Sequence, residues 1–197
     1  MGESPLSPRL KQLLASLSDS STVVPPEVKA YRDCVYFNYF EIGLSLQFVP
    51  TEGYTLSQGL QMEGLALERL ALETIDLYNV PDASPENARA KTKASHYRPY
   101  PKFPIELSFP GGASGETALA ISPETTGKDI VAPLGEPDRK GGGTGPSSGS
   151  IGIWCEWSKL GMMVEFGGDE ARGPQAWEKG KDAVWSSLTL FKPKSAS

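Results

Sequence analysis

Histidine and cysteine are scarce: 197 residues hold one histidine, His96, and two cysteines, Cys34 and Cys155. Two separated cysteines cannot build a disulfide framework, and neither sits in a CxxC. They read as buried free thiols in a reducing compartment. A single histidine with no second His or Cys beside it excludes a zinc site. His96 is also the one candidate base for a Ser/His/Asp arrangement, and no GxSxG elbow accompanies it; a loop histidine is the plainer reading. Long apolar runs are missing as well, none approaching the roughly 20 residues that span a bilayer. Basic excess is missing too: 19 Lys+Arg stand against 24 Asp+Glu, a formal net charge of −5. That argues against a dedicated nucleic-acid binder, which needs a basic face for phosphates. Met1-Gly2-Glu3-Ser4-Pro5 lacks the basic and apolar regions of a signal peptide. Leu6 stands where a myristoylation start usually has Ser or Thr. These readings predict a soluble protein of the cell interior, without metal or cofactor.

Glycine (21) and proline (17) are plentiful, about a fifth of the chain, and predict a loop-rich fold. Leu10, Leu13, Leu14 and Leu17 recur at i, i+3, i+4 and i+7. With Ser7 as N-cap and Pro8 in the first turn they predict a helix over 8–17. The run 34–40 is β-branched and aromatic, and 43–48 alternates with Leu44, Leu46 and Phe48 inward and Ser45 and Gln47 outward. Together they predict a hairpin broken at Glu41-Ile42-Gly43. Residues 51–69 read as an insertion, with helix-forming residues from Leu65, and 70–78 as a strand. A polar linker over 80–99 leads to Phe103, Ile105, Leu107 and Phe109, which alternate around a Pro104 that cannot donate to a ladder, so the run belongs at a strand end or a sheet edge. Residues 110–124 read as loop. A second helix is predicted over 126–134, capped by Thr125 or Thr126 and closed by Gly135, then strands over 151–157, 161–166 and 184–191.

The second half repeats the order of the first. Tyr39 aligns with Trp157, Ile42 with Leu160, Gly43 with Gly161, Leu44 with Met162, Leu46 with Val164, Gln47 with Glu165 and Phe48 with Phe166. Ile75 and Leu77 of the following strand align with Leu188 and Leu190. The expectation is an α+β fold in one domain over 1–197: a mostly antiparallel sheet of about seven strands with two short helices, built from two duplicated helix-plus-β-meander units. The units run over about 8–79 and 125–193, with a connecting strand at about 100–110 and a flexible loop at 138–150.

Chemistry-bearing motifs are weak. Gly135 to Gly143 is not a P-loop, because Gly127-Lys128 is followed by Asp129 rather than a hydroxyl residue; it reads as a helix stop and a flexible Gly/Ser loop. Arg139 and Lys140 in that loop are the candidate contact for an acidic partner or a lipid headgroup. The aromatic residues of 36–40, and Trp154 and Trp157 in the second half, have bulk on both faces. That points to an outer face covered by helices or to an exposed partner-binding patch. Base stacking is excluded by the lack of basic neighbours. Asp76, Glu106, Glu165 and Asp169 are dispersed, without the convergence that acid–base catalysis needs.

Residues Asp33-Cys-Val-Tyr-Phe-Asn-Tyr-Phe-Glu-Ile-Gly-Leu-Ser-Leu-Gln-Phe48 resemble the DYFFNYFxLGxDxxF segment of the phagosome assembly factor 1 family. Ile75-Asp-Leu-Tyr-Asn79, His96-Tyr-Arg-Pro-Tyr100 and Phe103-Pro-Ile-Glu-Leu107 are similar, in order, to its next strand, tyrosine-rich loop and strand. Asp129-Ile130 with Leu134-Gly135-Glu136-Pro137 resembles its DNIxxLLGxP helix and turn, and Ser187-Leu-Thr-Leu-Phe-Lys-Pro193 its last strand. The resemblance covers roughly 31–193 and corresponds to the C-terminal half of longer members. It implies a non-enzymatic adaptor of autophagy and membrane traffic. Such an adaptor would be cytoplasmic, peripheral at the phagophore or Golgi, and would act through a WD-repeat propeller partner. The alternative, from another class, is a small-molecule or lipid-binding domain with a cleft between the two repeats; an enzyme ranks third.

The scarcity of ligating side chains yields a first expected outcome. Elemental analysis of purified protein finds no stoichiometric metal, and His96→Ala leaves partner binding intact; one zinc per chain would overturn this.

Overall fold

The computed structural model describes residues 1–18, 25–80, 96–110, 116–143 and 152–194. Within these the fold is α+β and mostly antiparallel, with ten strands and three α-helices rather than the seven and two expected. The chain divides into two compact units, Met1–Pro101 and Lys102–Ser197.

The first unit opens with helix α1 (Pro8–Leu17), which buries Leu10, Leu14 and Leu17 and leaves Leu13 on its exposed flank. Ser7 occupies the N-cap, but its hydroxyl does not cap and has no partner. An antiparallel meander follows: β1 (Glu27–Ala30), β2 (Val35–Tyr39), β3 (Leu44–Pro50) and β4 (Leu70–Tyr78). The core rests on β3, where Leu44, Leu46 and Phe48 are almost fully buried, as the alternation predicts. Ser45 departs from expectation. It is 1% exposed because the return segment after β4 covers the outer face. The insertion at 51–69 carries two single 3₁₀ turns, Met62–Gly64 and Leu67–Arg69; β4 takes over at Leu70, so no α-helix grows from Leu65.

The second unit begins with a hairpin of β5 (Ile105–Pro110) and β6 (Glu116–Ile121). Pro104 stands just before β5, as a residue without a donor should. Strand β6 corrects the expected loop at 110–124: Leu119 and Ile121 alternate inward opposite Leu107 and Ile105. Helix α2 (Gly127–Leu134) follows, with the Thr126 N–H donating to the Asp129 carboxylate at 2.9 Å and Gly135 closing it in a positive-φ conformation. Then come β7 (Arg139–Gly141), β8 (Trp154–Trp157), β9 (Met162–Phe166), the one-turn helix α3 (Ala176–Lys179) and β10 (Trp185–Phe191). Strand β7 replaces the start of the expected flexible loop at 138–150, because Arg139 to Gly141 pair with Glu156 to Trp154. Residues 144–150 of that loop, like 81–95 of the polar linker, lie outside the described residues. No helix among the described residues is long and apolar enough to cross a membrane.

Both meanders share a register. Tyr39 pairs with Leu44 and Phe37 with Leu46, as Trp157 pairs with Met162 and Cys155 with Val164. The extra residue of a β-bulge falls at Glu73, between the partners of Gln47 and Phe48, and at Ser186, between the partners of Glu165 and Phe166. Each hairpin turns through a left-handed glycine, Gly43 at φ 56° and Gly161 at φ 70°. Gly43 O accepts from Tyr78 N at 2.9 Å, and Gly161 O from Phe191 N at 2.8 Å. The chain leaving the last strand then crosses the turn: Arg98 N donates to Phe40 O in one unit, and Lys194 N to Ser158 O in the other.

These crossings leave no room for a side chain. A Cβ on Gly43 would overlap the backbone of Arg98 to Tyr100, and one on Gly161 the backbone of Phe191 and Pro193. Gly53, at φ 74°, has nothing within 4 Å of that position. Gly53→Ala is therefore expected to cost about 1 kcal/mol for conformation alone. Gly43→Ala and Gly161→Ala each add backbone overlap and are expected to cost more than about 2 kcal/mol. Urea denaturation of the three variants checks this; equal costs would refute the close approach.

Candidate functional site

Where β2 carries Phe37 against the Phe48 ring, with centroids 5.0 Å apart, β8 carries Cys155 at the same register position. Cys155 is one of the residues that line a cavity of about 470 Å³ within the second unit. Ile153, Cys155 and Phe166 form its floor, and Val131, Ala132 and Trp177 its walls. Lys128, Lys140 and Lys181, with Glu136, also line it. These four are exposed, so their charges gather at the mouth. Burial pushes the Cys155 thiol up to about 11, against a smaller opposing pull from Lys140, so it remains an SH group at neutral pH.

The mouth lysines have acidic neighbours. Lys128 pairs with Asp182 at 3.5 Å and Lys140 with Glu136 at 3.8 Å, and Lys140 also lies 5.7 Å from the Trp177 ring centroid. Helix α2 is tied to the loop before β10 by Gly127 N to Ala183 O (3.0 Å) and Lys128 N to Lys181 O (2.9 Å). Those bonds fix α2, which carries Val131 and Ala132 of the wall, against the loop that carries Lys181.

Arg139 and Lys140 are adjacent on β7, so their side chains leave opposite faces. Lys140 lines the cavity. Arg139 reaches across to Glu156 at 3.1 Å and lies over Trp154 at 5.9 Å. The structure thus does not join the two into one cationic contact. Glu156, nearly buried, also accepts from Ser158 Oγ and from Lys194 Nζ at 3.0 Å. Burial alone would raise its carboxyl; the Ser158 and Lys194 hydrogen bonds and the two positive charges outweigh it and hold the group below the usual carboxylate range.

In the first unit the equivalent strand position holds Asn38. Its Oδ1 accepts from Ser45 Oγ at 2.9 Å and Tyr97 Oη at 2.7 Å. Tyr97 stacks on Tyr78 with centroids 3.8 Å apart and lies 4.7 Å from the Phe40 ring, so the bulk on the outer face of β2 is covered by the segment at 96–100 and not by the helix the sequence led one to expect. His96 is exposed beside Phe40 and borders a hollow of about 220 Å³ with Glu27 and Lys29. Both cysteines are buried free thiols, as expected. Among the described residues no three His, Cys, Asp or Glu converge as metal ligands do. Glu165 is pushed above its ordinary range by burial, with Arg172 and Ser187 opposing.

The sequence singled out Lys140 and Cys155, but not Lys128, Lys181 or Trp177. One signal was there: aligning Tyr39 with Trp157 also aligns Phe37 with Cys155, a loss of core volume. No family model, curated protein or solved structure matches this chain.

The Glu156 cluster fixes a pH dependence. Its carboxyl titrates lower folded than unfolded, so the stability it supplies is complete above the unfolded carboxylate value, roughly 4.3, and is lost as pH falls through the folded value. Glu156→Gln is expected to cost about 1–2 kcal/mol near neutrality and to flatten the acid limb of the stability–pH curve. Urea midpoints across that range check this; an unchanged acid limb would refute it.

Proposed function

We propose that this protein is a non-enzymatic interaction module of autophagy and membrane traffic, recruited to the phagophore or Golgi by a protein partner, with a WD-repeat propeller as the partner the family resemblance names. The observation that carries the reading is the placement of the resembling segments. Asp33–Phe48 makes β2, β3 and their turn. The tyrosine-rich His96–Tyr100 is the segment that crosses that turn, with Arg98 N bonded to Phe40 O and Tyr100 N to Tyr78 O. Asp129–Pro137 makes α2 and its stop, and Ser187–Pro193 most of β10 and the chain beyond it. Segments chosen only for resemblance therefore fall on interlocking parts of each unit.

The two units are, in this proposal, copies of one helix-plus-meander. The shared register, the bulges at Glu73 and Ser186 and the turn glycines Gly43 and Gly161 support that descent. The alternative, a small-molecule or lipid-binding domain, is favoured by the cavity, which lies wholly inside the second unit rather than in a cleft between repeats.

Charge makes the adaptor reading testable. At −5, and with Arg139 engaged by Glu156, the chain offers at most about 1 kcal/mol per remaining lysine toward an anionic surface. That is too little for stable anchoring. In flotation with phosphoinositide vesicles, the isolated chain is expected to stay in the soluble fraction and to float once a WD-repeat propeller that co-purifies from native lysate is added. Tight flotation of the isolated chain, lost in Arg139→Glu/Lys140→Glu, would overturn recruitment by a partner.

A further inference from the structure

We infer that the cavity of the second unit is a binding site for a single-chain amphiphile with an anionic head: an acyl chain on the floor and a carboxylate or phosphate at the lysine mouth. Its volume, about 470 Å³, falls in the range of sites that enclose a small molecule, roughly 300–1,000 Å³. The lining sorts by depth. Floor and walls are aliphatic, aromatic or thiol, and no hydroxyl or amide side chain is among the described residues that line it. The floor, formed by Ile153, Cys155 and Phe166, offers no strong side-chain hydrogen-bonding group to a polar scaffold, but it takes a methylene chain, whose binding needs only area removed from water.

Charge lies only at the mouth and is mainly positive, in a chain that is acidic overall. Lys140 is engaged by Glu136 and Trp177, and Lys128 faces Asp182. Lys181 has no ion-pair partner among the described residues. An anion there gains Lys181 outright and shares Lys128. A neutral amphiphile gains neither. The thiol on the floor stays protonated and adds no competing charge inside.

The cavity also differs from its counterpart position in a way that favours occupancy. Phe37 fills the corresponding place in the first unit. In the second, the smaller Cys155 stands there, and Gly127 lies against the Gly180 carbonyl with no room for a side chain, so helix α2 is seated on the loop before β10. That seating keeps the α2 wall from settling onto the floor.

The test is calorimetric titration of the full chain with dodecanoate, below its micelle concentration, followed also by tryptophan fluorescence, with Trp177→Phe to identify the Trp177 share of the signal. One site per chain is expected. Each two-methylene shortening of the acid weakens binding roughly tenfold. Dodecanol binds roughly tenfold more weakly than dodecanoate, and Lys128→Gln/Lys181→Gln brings the acid down to the alcohol without changing the alcohol. Cys155→Phe, which puts a ring on the floor, weakens binding at least tenfold while keeping the urea midpoint at or above wild type. Should that variant misfold, Ala132→Phe, from an exposed helix position on the wall, blocks the same space. Dodecyl phosphate in a parallel titration separates a phosphate head from a carboxylate, and the tighter of the two names the source. Equal affinity for acid and alcohol, or undiminished binding by a folded Cys155→Phe or Ala132→Phe variant, would overturn the site. So would binding of an acidic peptide with a leucine anchor in place of dodecanoate. None of this depends on the adaptor reading, which stands or falls on the flotation experiment.

Discussion

Backbone passing directly over backbone at two left-handed glycines is the constraint on which both units are built. At Gly43 and Gly161 the hairpin turns in a conformation that side chains disfavour, and the chain leaving the meander's last strand lies against the glycine Cα. Main-chain bonds fix the approach from both sides, Tyr78 to Gly43 and Arg98 to Phe40 in one unit, Phe191 to Gly161 and Lys194 to Ser158 in the other. A turn so clamped sets the register of the strands on either side. A slip by one residue would move Leu44, Leu46 and Phe48 out of the core and break the crossing as well.

The crossing also explains the buried polar groups. A segment laid over the outer face of β2 or β8 removes that face from water, so the residue beneath it must find partners in the segment and in the neighbouring strand or turn. Asn38 meets this with neutral partners, Ser45 and Tyr97. Glu156 meets it with Ser158, Lys194 and Arg139. The second solution places a carboxylate where burial disfavours it, and the cations around it offset that cost. One pinning role is thus filled by an amide in the first unit and by an ion cluster in the second.

Much of this was legible in the sequence because period-two alternation and glycine punctuation are local signals. The runs 43–48, 70–78 and 161–166 became β3, β4 and β9 almost to the residue, and the aligned pairs Leu44/Met162 and Phe48/Phe166 hold the same register in the structure. What escaped was decided by tertiary pairing. Glu116–Ile121 alternates only over Ala, Leu and Ile, with no aromatic to mark it, and becomes a strand because β5 lies beside it. Arg139–Gly141 reads as loop on composition, yet Cys155 and its neighbours give it a ladder. Ser45 looks solvent-facing by alternation, and it is buried by a segment more than 50 residues away. The candidate site was half visible: Cys155 and Lys140 drew notice singly, while the lysines and Trp177 that join them arrive from α2, α3 and the loop before β10.

The same comparison of positions explains why a cavity persists at all. Truncating a large core side chain ordinarily costs about 3–5 kcal/mol, less where the surroundings can relax into the gap. In the second unit they cannot. Helix α2 is hydrogen-bonded at Gly127 and Lys128 to the loop at 181–183, and Gly127 is seated on Gly180. Ile153 is held by Ala171 on one side and Phe166 on the other. Gly180 also packs on Ile153, so one loop spaces the α2 wall from the floor, and the space above Cys155, where the first unit holds Phe37, stays open. A fold that clamps its turns by backbone contact can lose core volume on one face of a strand without losing register. In the second unit the outcome is a lined cavity beside strands whose register matches that of the first.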